Sequence, residues 1–104
     1  MINRKVTIIG KVQGVSFRKS TFEMALRLGV FGYVKNVDND KVYVEVEGEA
    51  DAVFKLIDYC HHGPENADVE HVSILMGDVM NYTSFDAEFN SAFNDVSSIS
   101  WRYS

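Results

Sequence analysis

Apolar side chains recur along this chain in two rhythms, and the first switch between them falls at Gly10-Lys11-Val12-Gln13-Gly14-Val15-Ser16-Phe17-Arg18. Before it, Val6 and Ile8 with the interleaved Thr7 and Ile9 read as a strand. The weak contrast between the two sets predicts a central strand buried on both faces. After it, Phe22, Ala25, Leu26 and Gly29 follow helical spacing, so a helix is expected from about Lys19 to Leu28, with Gly29 as its C-terminal cap. Val30 to Val37 is β-branched and aromatic. Lys41 to Glu47 alternates, with Val42, Val44 and Val46 on one face and Tyr43, Glu45 and Glu47 on the other. Asp38-Asn39-Asp40 between these two runs predicts a tight hairpin. Glu49 to His62 is helical, burying Val53, Leu56, Ile57 and Cys60, and Gly63-Pro64 stops it. Val69 to Met76 offers a fourth strand. Tyr82, Phe85, Phe89, Phe93 and Val96 then recur at intervals of three and four, predicting a short amphipathic helix capped by Thr83 or Ser84. Ile99, Trp101 and Tyr103 read as a closing edge strand.

The order strand, helix, strand, strand, helix, strand predicts an α+β fold, the ferredoxin-like split β-α-β arrangement (β-α-β-β-α-β). Two helices are expected on one face of an antiparallel sheet, followed by an extended C-terminal segment that ends in the edge strand.

Composition narrows this picture in three ways. The 104 residues suit a single domain spanning residues 1–104, which buries roughly 65% of the surface of its unfolded chain. The 46% apolar residues and single proline argue against disorder and against a long flexible linker. Ten basic residues against fifteen acidic ones leave a charge of −5, which disfavours nucleic acid as a partner and requires any anion site to be local. Cys60 is the only cysteine and cannot form an internal disulfide. Met1 to Lys5 is not followed by the apolar region of a signal peptide, so the expected location is the cytoplasm. No apolar run approaches the ~20 residues that span a bilayer, so no membrane partner is expected.

The strand–loop–helix junction around residues 10–18 is where such a local site belongs. Glycines let the backbone approach a ligand, and the first turn of the helix adds unpaired N–H donors and the positive end of its dipole. Arg18 contributes a forked, fixed positive charge.

The run from Gly10 to Arg18, with Thr21 three positions on, and the run Gly32-Tyr33-Val34-Lys35-Asn36, followed by Val42 and Gly48, together resemble the acylphosphatase family. Both of its signatures, glycine-x-valine-glutamine-glycine-valine-x-phenylalanine-arginine and glycine-aromatic-valine-lysine-asparagine, stand at the expected separation. The likeness covers about residues 5 to 72. It implies a hydrolase without metal or other cofactor that splits a small-molecule acyl phosphate into carboxylate and inorganic phosphate. By that resemblance the catalytic residues are Arg18 and Asn36, and backbone N–H groups of Gln13, Gly14, Val15, Ser16, Phe17 and Arg18 cradle the phosphate. A monomer is expected.

The chemistry is compatible with these residue types. Phosphoryl transfer asks for positioning and charge stabilisation, so the lack of a nucleophilic side chain is no contradiction. Asn36 can orient a water but is too weak a base to deprotonate it, which leaves the phosphate itself to accept the proton. The plain alternatives are a bulge and turn at Gly10 and Gly14, a surface ion pair at Arg18, and a strand end at Asn36. Cys60, His61, His62 and His71 fit no metal-ligand spacing, and Cys60 reads as a small core residue. Two departures from the family stand out. Asp40 occupies a position usually held by glycine, where its charge would weaken anion binding if it pointed inward, and residues 77–97 are longer than the usual connection. Both keep open a rival reading, a non-catalytic phospho-ligand or protein-binding module. An RNA-recognition module is disfavoured by charge and by the absence of a basic strand with paired aromatics.

Overall fold

The computed structural model describes residues 1–88. Strand β1 (Ile2–Lys11) leads to helix α1 (Phe17–Leu28), strands β2 (Phe31–Val37) and β3 (Lys41–Gly48), helix α2 (Ala50–Cys60), strand β4 (Asp68–Gly77) and a short strand β5 (Phe85–Glu88). They form one sheet in the order β4-β1-β3-β2-β5. The first four strands pair antiparallel, which is the expected ferredoxin-like arrangement, whereas β5 joins the outer edge of β2 in parallel.

Period-two patterning decides which face carries the helices. Val6 and Ile8 of β1, Val34 of β2 and Val42, Val44 and Val46 of β3 share one buried core with Phe17 and Ala25 of α1 and with Val53, Leu56, Ile57 and Cys60 of α2. β1 is central, as its sequence suggests. Its other face is only partly covered, however, with Thr7 and Ile9 half-buried, because both helices lie on the Val6 side.

That other face carries buried charge. Glu45 and Glu47, on the side of β3 opposite Val44 and Val46, are 6% and 0% exposed. Residues 78–84 pass over them. Met80 N–H and Tyr82 N–H donate to the two oxygens of the Glu47 carboxylate at 2.7 and 2.9 Å. The Tyr82 hydroxyl donates to Glu45 Oε2 at 3.1 Å. The buried Asn3 amide bridges both carboxylates, at 3.1 Å to Glu45 and 3.0 Å to Glu47. The Tyr82 ring meets Tyr33 edge-on.

Geometry explains why this segment is extended. From β4 to β5 the chain must cross four inter-strand spacings, about 19 Å in all. Seven extended residues reach about 23 Å, whereas the same seven in a helix would rise only about 10 Å. The helix expected from Tyr82 onward is therefore replaced at its start by β5, in which Phe85 and Ala87 are buried and Asp86 and Glu88 point outward. Phe85 packs its ring 6.5 Å from that of Phe22 in α1. The remainder of that expected helix, through Phe89, Phe93 and Val96, and the edge strand at Ile99, Trp101 and Tyr103 lie outside the described residues.

Burial alone would raise the Glu47 carboxyl, but donors from Asn3, Met80, Tyr82 and Asn81 outweigh it and hold the group below its ordinary value of 4.5. A depressed carboxyl stabilises the fold above its unfolded value, and this contribution is lost as pH falls from there through the lower folded value. Glu47→Gln should cost roughly 1–3 kcal/mol at neutral pH, since two backbone donors then compete for one neutral carbonyl oxygen. The acid limb of the stability curve should flatten below pH 4.5 in the variant. Urea unfolding across pH 3–7 checks both; equal midpoints for the two proteins at pH 7 would contradict this role for Glu47.

Candidate active site

The junction between β1 and α1 turns on two glycines, one in the ladder and one in the loop beyond it. At Gly10 the register of β1 against β4 shifts, and φ is 142°. A Cβ there would run into the backbone carbonyl of Asp68. Gly14 has φ 74° with open space where a Cβ would stand, so its requirement is conformational, a left-handed turn that aims the loop back toward the helix. Ser16 follows, also left-handed at φ 64°, in the N-cap position of α1. Its side chain caps nothing, and no acidic residue stands in the first turn. The N-terminal N–H groups and dipole of α1 thus meet no anionic side chain from their own first turn.

This first turn lines a cavity of about 340 Å³. The helix starts at Phe17, two residues before the expected Lys19, which puts Arg18 inside the turn. Gln13, Gly14, Ser16, Phe17 and Arg18 all border the cavity, and Asn36 enters from β2. Val15 does not border it; its side chain packs against the core. Val12 and Lys19 complete the wall and were not singled out by their residue type. The position of Lys19 beside Arg18 at a helix start was the available signal.

Arg18 is half-buried, and its Nη1 donates to the backbone carbonyl of Glu88 in β5 at 2.9 Å. Desolvation lowers its pKa from the ordinary 12.5, and guanidinium nevertheless remains charged at any physiological pH. Asn36 occupies a helix-facing position of β2, two residues beyond Val34. Its Oδ1 is buried and accepts no hydrogen bond. A buried acceptor without a donor is uncommon and costly, and here it lies on the same cavity as the helix start and the guanidinium.

The Gln13 side chain points elsewhere. Its Nε2 lies 3.2 Å from Val37 O, 2.9 Å from Asp38 O and 2.8 Å from Lys41 O, all on the β2–β3 turn. In that turn the left-handed residue is Asp38, with φ 55°, and not Asp40. Asp40 stands outside the cavity wall, its carboxylate 3.4 Å from Lys41 Nζ and exposed, so its charge is not aimed at the helix start. Cys60 is buried in the core, where desolvation pushes its thiol up to about 12, which removes it as a nucleophile. Among the described residues no group of three or more His, Cys, Asp or Glu is arranged to hold a metal ion. No helix among them is long and apolar enough to cross a membrane.

The span that carries this cavity is similar to known proteins. The Acylphosphatase family model matches residues 4–87. The acylphosphatase of Geobacter sulfurreducens is 52% identical over 67 residues, which are 64% of this chain and 74% of that protein. That of Rubrobacter xylanophilus is 50% identical over 70 residues, 67% of this chain but under two thirds, 64%, of the relative's own length. The Geotalea uraniireducens acylphosphatase is 44% identical over 94 residues, covering 90% of this chain and 92% of that protein. Among solved structures, an acylphosphatase from Coxiella burnetii superposes with a TM-score of 0.80 at 34% identity, over 84% of this chain and 92% of that one. The acylphosphatase of Bacillus subtilis gives 0.81 at 25% identity, over 85% and 99%. Both motif-bearing runs, residues 10–18 and 32–36, fall inside the matched span, and the chain belongs to the acylphosphatase family.

Proposed function

We propose that this chain is an acylphosphatase that hydrolyses the carboxyl–phosphate bond of small acyl phosphates without a metal. The backbone N–H groups of residues 13–18 and the Arg18 guanidinium hold the phosphoryl oxygens, and Asn36 orients the attacking water. The observation that carries this reading is the buried, unpartnered Asn36 Oδ1 on the cavity bordered by Arg18 and the start of α1. A water placed there donates one hydrogen to Oδ1 and turns its lone pair toward the phosphorus. As the new P–O bond forms, the bond to the acyl oxygen breaks, and its electron pair leaves on the carboxylate. The proton of the attacking water passes to a phosphoryl oxygen, because an amide cannot take it at neutral pH. Carboxylate is a good leaving group and needs no general acid. Charge stabilisation by donors fixed before reaction supplies the remaining rate enhancement.

The same reading has the chain acting as a monomeric single domain, residues 1–104, in the cytoplasm. Its substrate is a small molecule, and with a net charge of −5 neither nucleic acid nor an anionic membrane surface suits it as a partner. The test is direct. Incubated with benzoyl phosphate or acetyl phosphate in excess EDTA, the protein should release carboxylate and inorganic phosphate at the rate measured without chelator. No release from the wild type would favour a phospho-ligand-binding module. Release that EDTA abolishes would place a metal in the reaction.

A further inference from the structure

The Gln13 side chain is a donor surrounded by acceptors. Three backbone carbonyls, of Val37, Asp38 and Lys41, lie within 3.2 Å of its Nε2. Only the NH₂ end of the amide suits that environment, and its two hydrogens serve three acceptors, one of them shared. Val37 and Lys41 are register partners at the last pair of the β2–β3 ladder, so the amide closes the end of this hairpin. Asn36 immediately precedes Val37. On the other side, Gln13 opens the loop whose next residues, Gly14 to Arg18, lead into the first turn of α1. Upstream, the loop is tied to the turn by Gly10 N–H donating to Asp40 O at 3.0 Å. Beyond Gly10, the Gln13 amide is the hydrogen-bonded tie from residues 11–16 to the 37–41 turn.

We infer that Gln13 is a positioning residue that sets the separation between the phosphate-holding loop and Asn36, through its side chain and independently of its backbone N–H. The inference rests on the function proposed above. In-line attack requires the water and the phosphorus to be held by two different elements, and Gln13 fixes one to the other. A reacting distance wrong by about 1 Å costs on the order of 100-fold in rate, so loosening this tie acts on turnover before it acts on binding.

Gln13→Met keeps the length and removes the donor. Its kcat for benzoyl phosphate should fall at least ~10-fold, while competitive inhibition by inorganic phosphate, which needs only the loop and Arg18, changes less than ~2-fold. In an Asn36→Ala background the same substitution should cost less than ~2-fold, because the residue it acts through is already gone. Equal losses in both backgrounds, or a parallel weakening of phosphate inhibition, would assign Gln13 a merely structural role in the loop. Thermal unfolding reports whether the variant is folded; if it is not, Gln13→Asn, which keeps the donor but withdraws it by one methylene, replaces it with the same expectations. A wild type without activity overturns this inference together with the proposed function. An active wild type with an equally active Gln13→Met overturns the inference alone.

Discussion

Arg18→Gln should lower kcat/KM for benzoyl phosphate at least ~100-fold, the scale seen when one preorganised donor to a developing oxyanion is removed. Glutamine keeps a hydrogen-bond donor of similar reach, so the loss isolates charge and forked geometry. Two conditions make that charge effective. The guanidinium is half-buried, so bulk water screens it less than it would a fully exposed side chain, and the turn that carries it holds no acidic residue. Arg18→Lys should recover only part of the loss, because a point charge cannot make two parallel contacts to a phosphoryl group. Phosphate should become a weaker competitive inhibitor in both variants, since the same contacts hold the product. Arg18 also bonds the Glu88 carbonyl, so a stability measurement must accompany the kinetics. Retention of more than about a tenth of wild-type activity by a folded Arg18→Gln protein would move the phosphate site elsewhere.

How much of this was legible in the sequence depended on how far apart in the chain the interacting residues lie. The turn from strand to helix was legible because its causes are local: glycines at 10 and 14, helical spacing from Phe22 to Gly29, and a β-branched run before them. The hairpin was legible for the same reason, although the left-handed residue proved to be Asp38. The burial of Glu45 and Glu47 was not legible. Alternation correctly put them opposite Val44 and Val46, but nothing within the strand announces that residues some 35 positions later cover that face and donate backbone hydrogen bonds to it. At the other end of that crossing, the aromatic spacing Tyr82, Phe85, Phe89 matched a helix by its i, i+3, i+4 pattern. The competing period-two signal in Phe85 and Ala87 spans only four residues, and it takes effect because β2 offers a free edge and the crossing demands an extended chain. At the site, the resemblance carried by the runs at residues 10–18 and 32–36 pointed to Arg18 and Asn36. The orientation of the Gln13 side chain was beyond reach, because its three acceptors are backbone carbonyls and backbone carries no residue identity.

Asn36→Ala should also lower kcat at least ~100-fold, and here stability and activity should part company. In the wild type the Oδ1 atom is buried without a donor, an arrangement that costs roughly 1–3 kcal/mol unless a water fills it. Truncation to alanine removes the orphaned acceptor, so the folded state should lose little stability or gain some, while the water loses its orientation. KM and phosphate inhibition should change little, because the loop and Arg18 hold the phosphoryl group. Asn36→Asp sharpens the test. The carboxylate can both accept a hydrogen bond and take a proton, so an enzyme limited by a missing base would keep or gain activity. If the phosphate itself accepts the proton, the added negative charge beside a phosphoryl dianion only repels, and the aspartate variant should be at least as impaired as alanine. The pH–rate profile separates the two cases. Substrate-assisted proton transfer leaves the wild-type profile free of any titrating histidine or carboxylate of the enzyme, and a carboxylate limb in the aspartate variant that restored activity would overturn it.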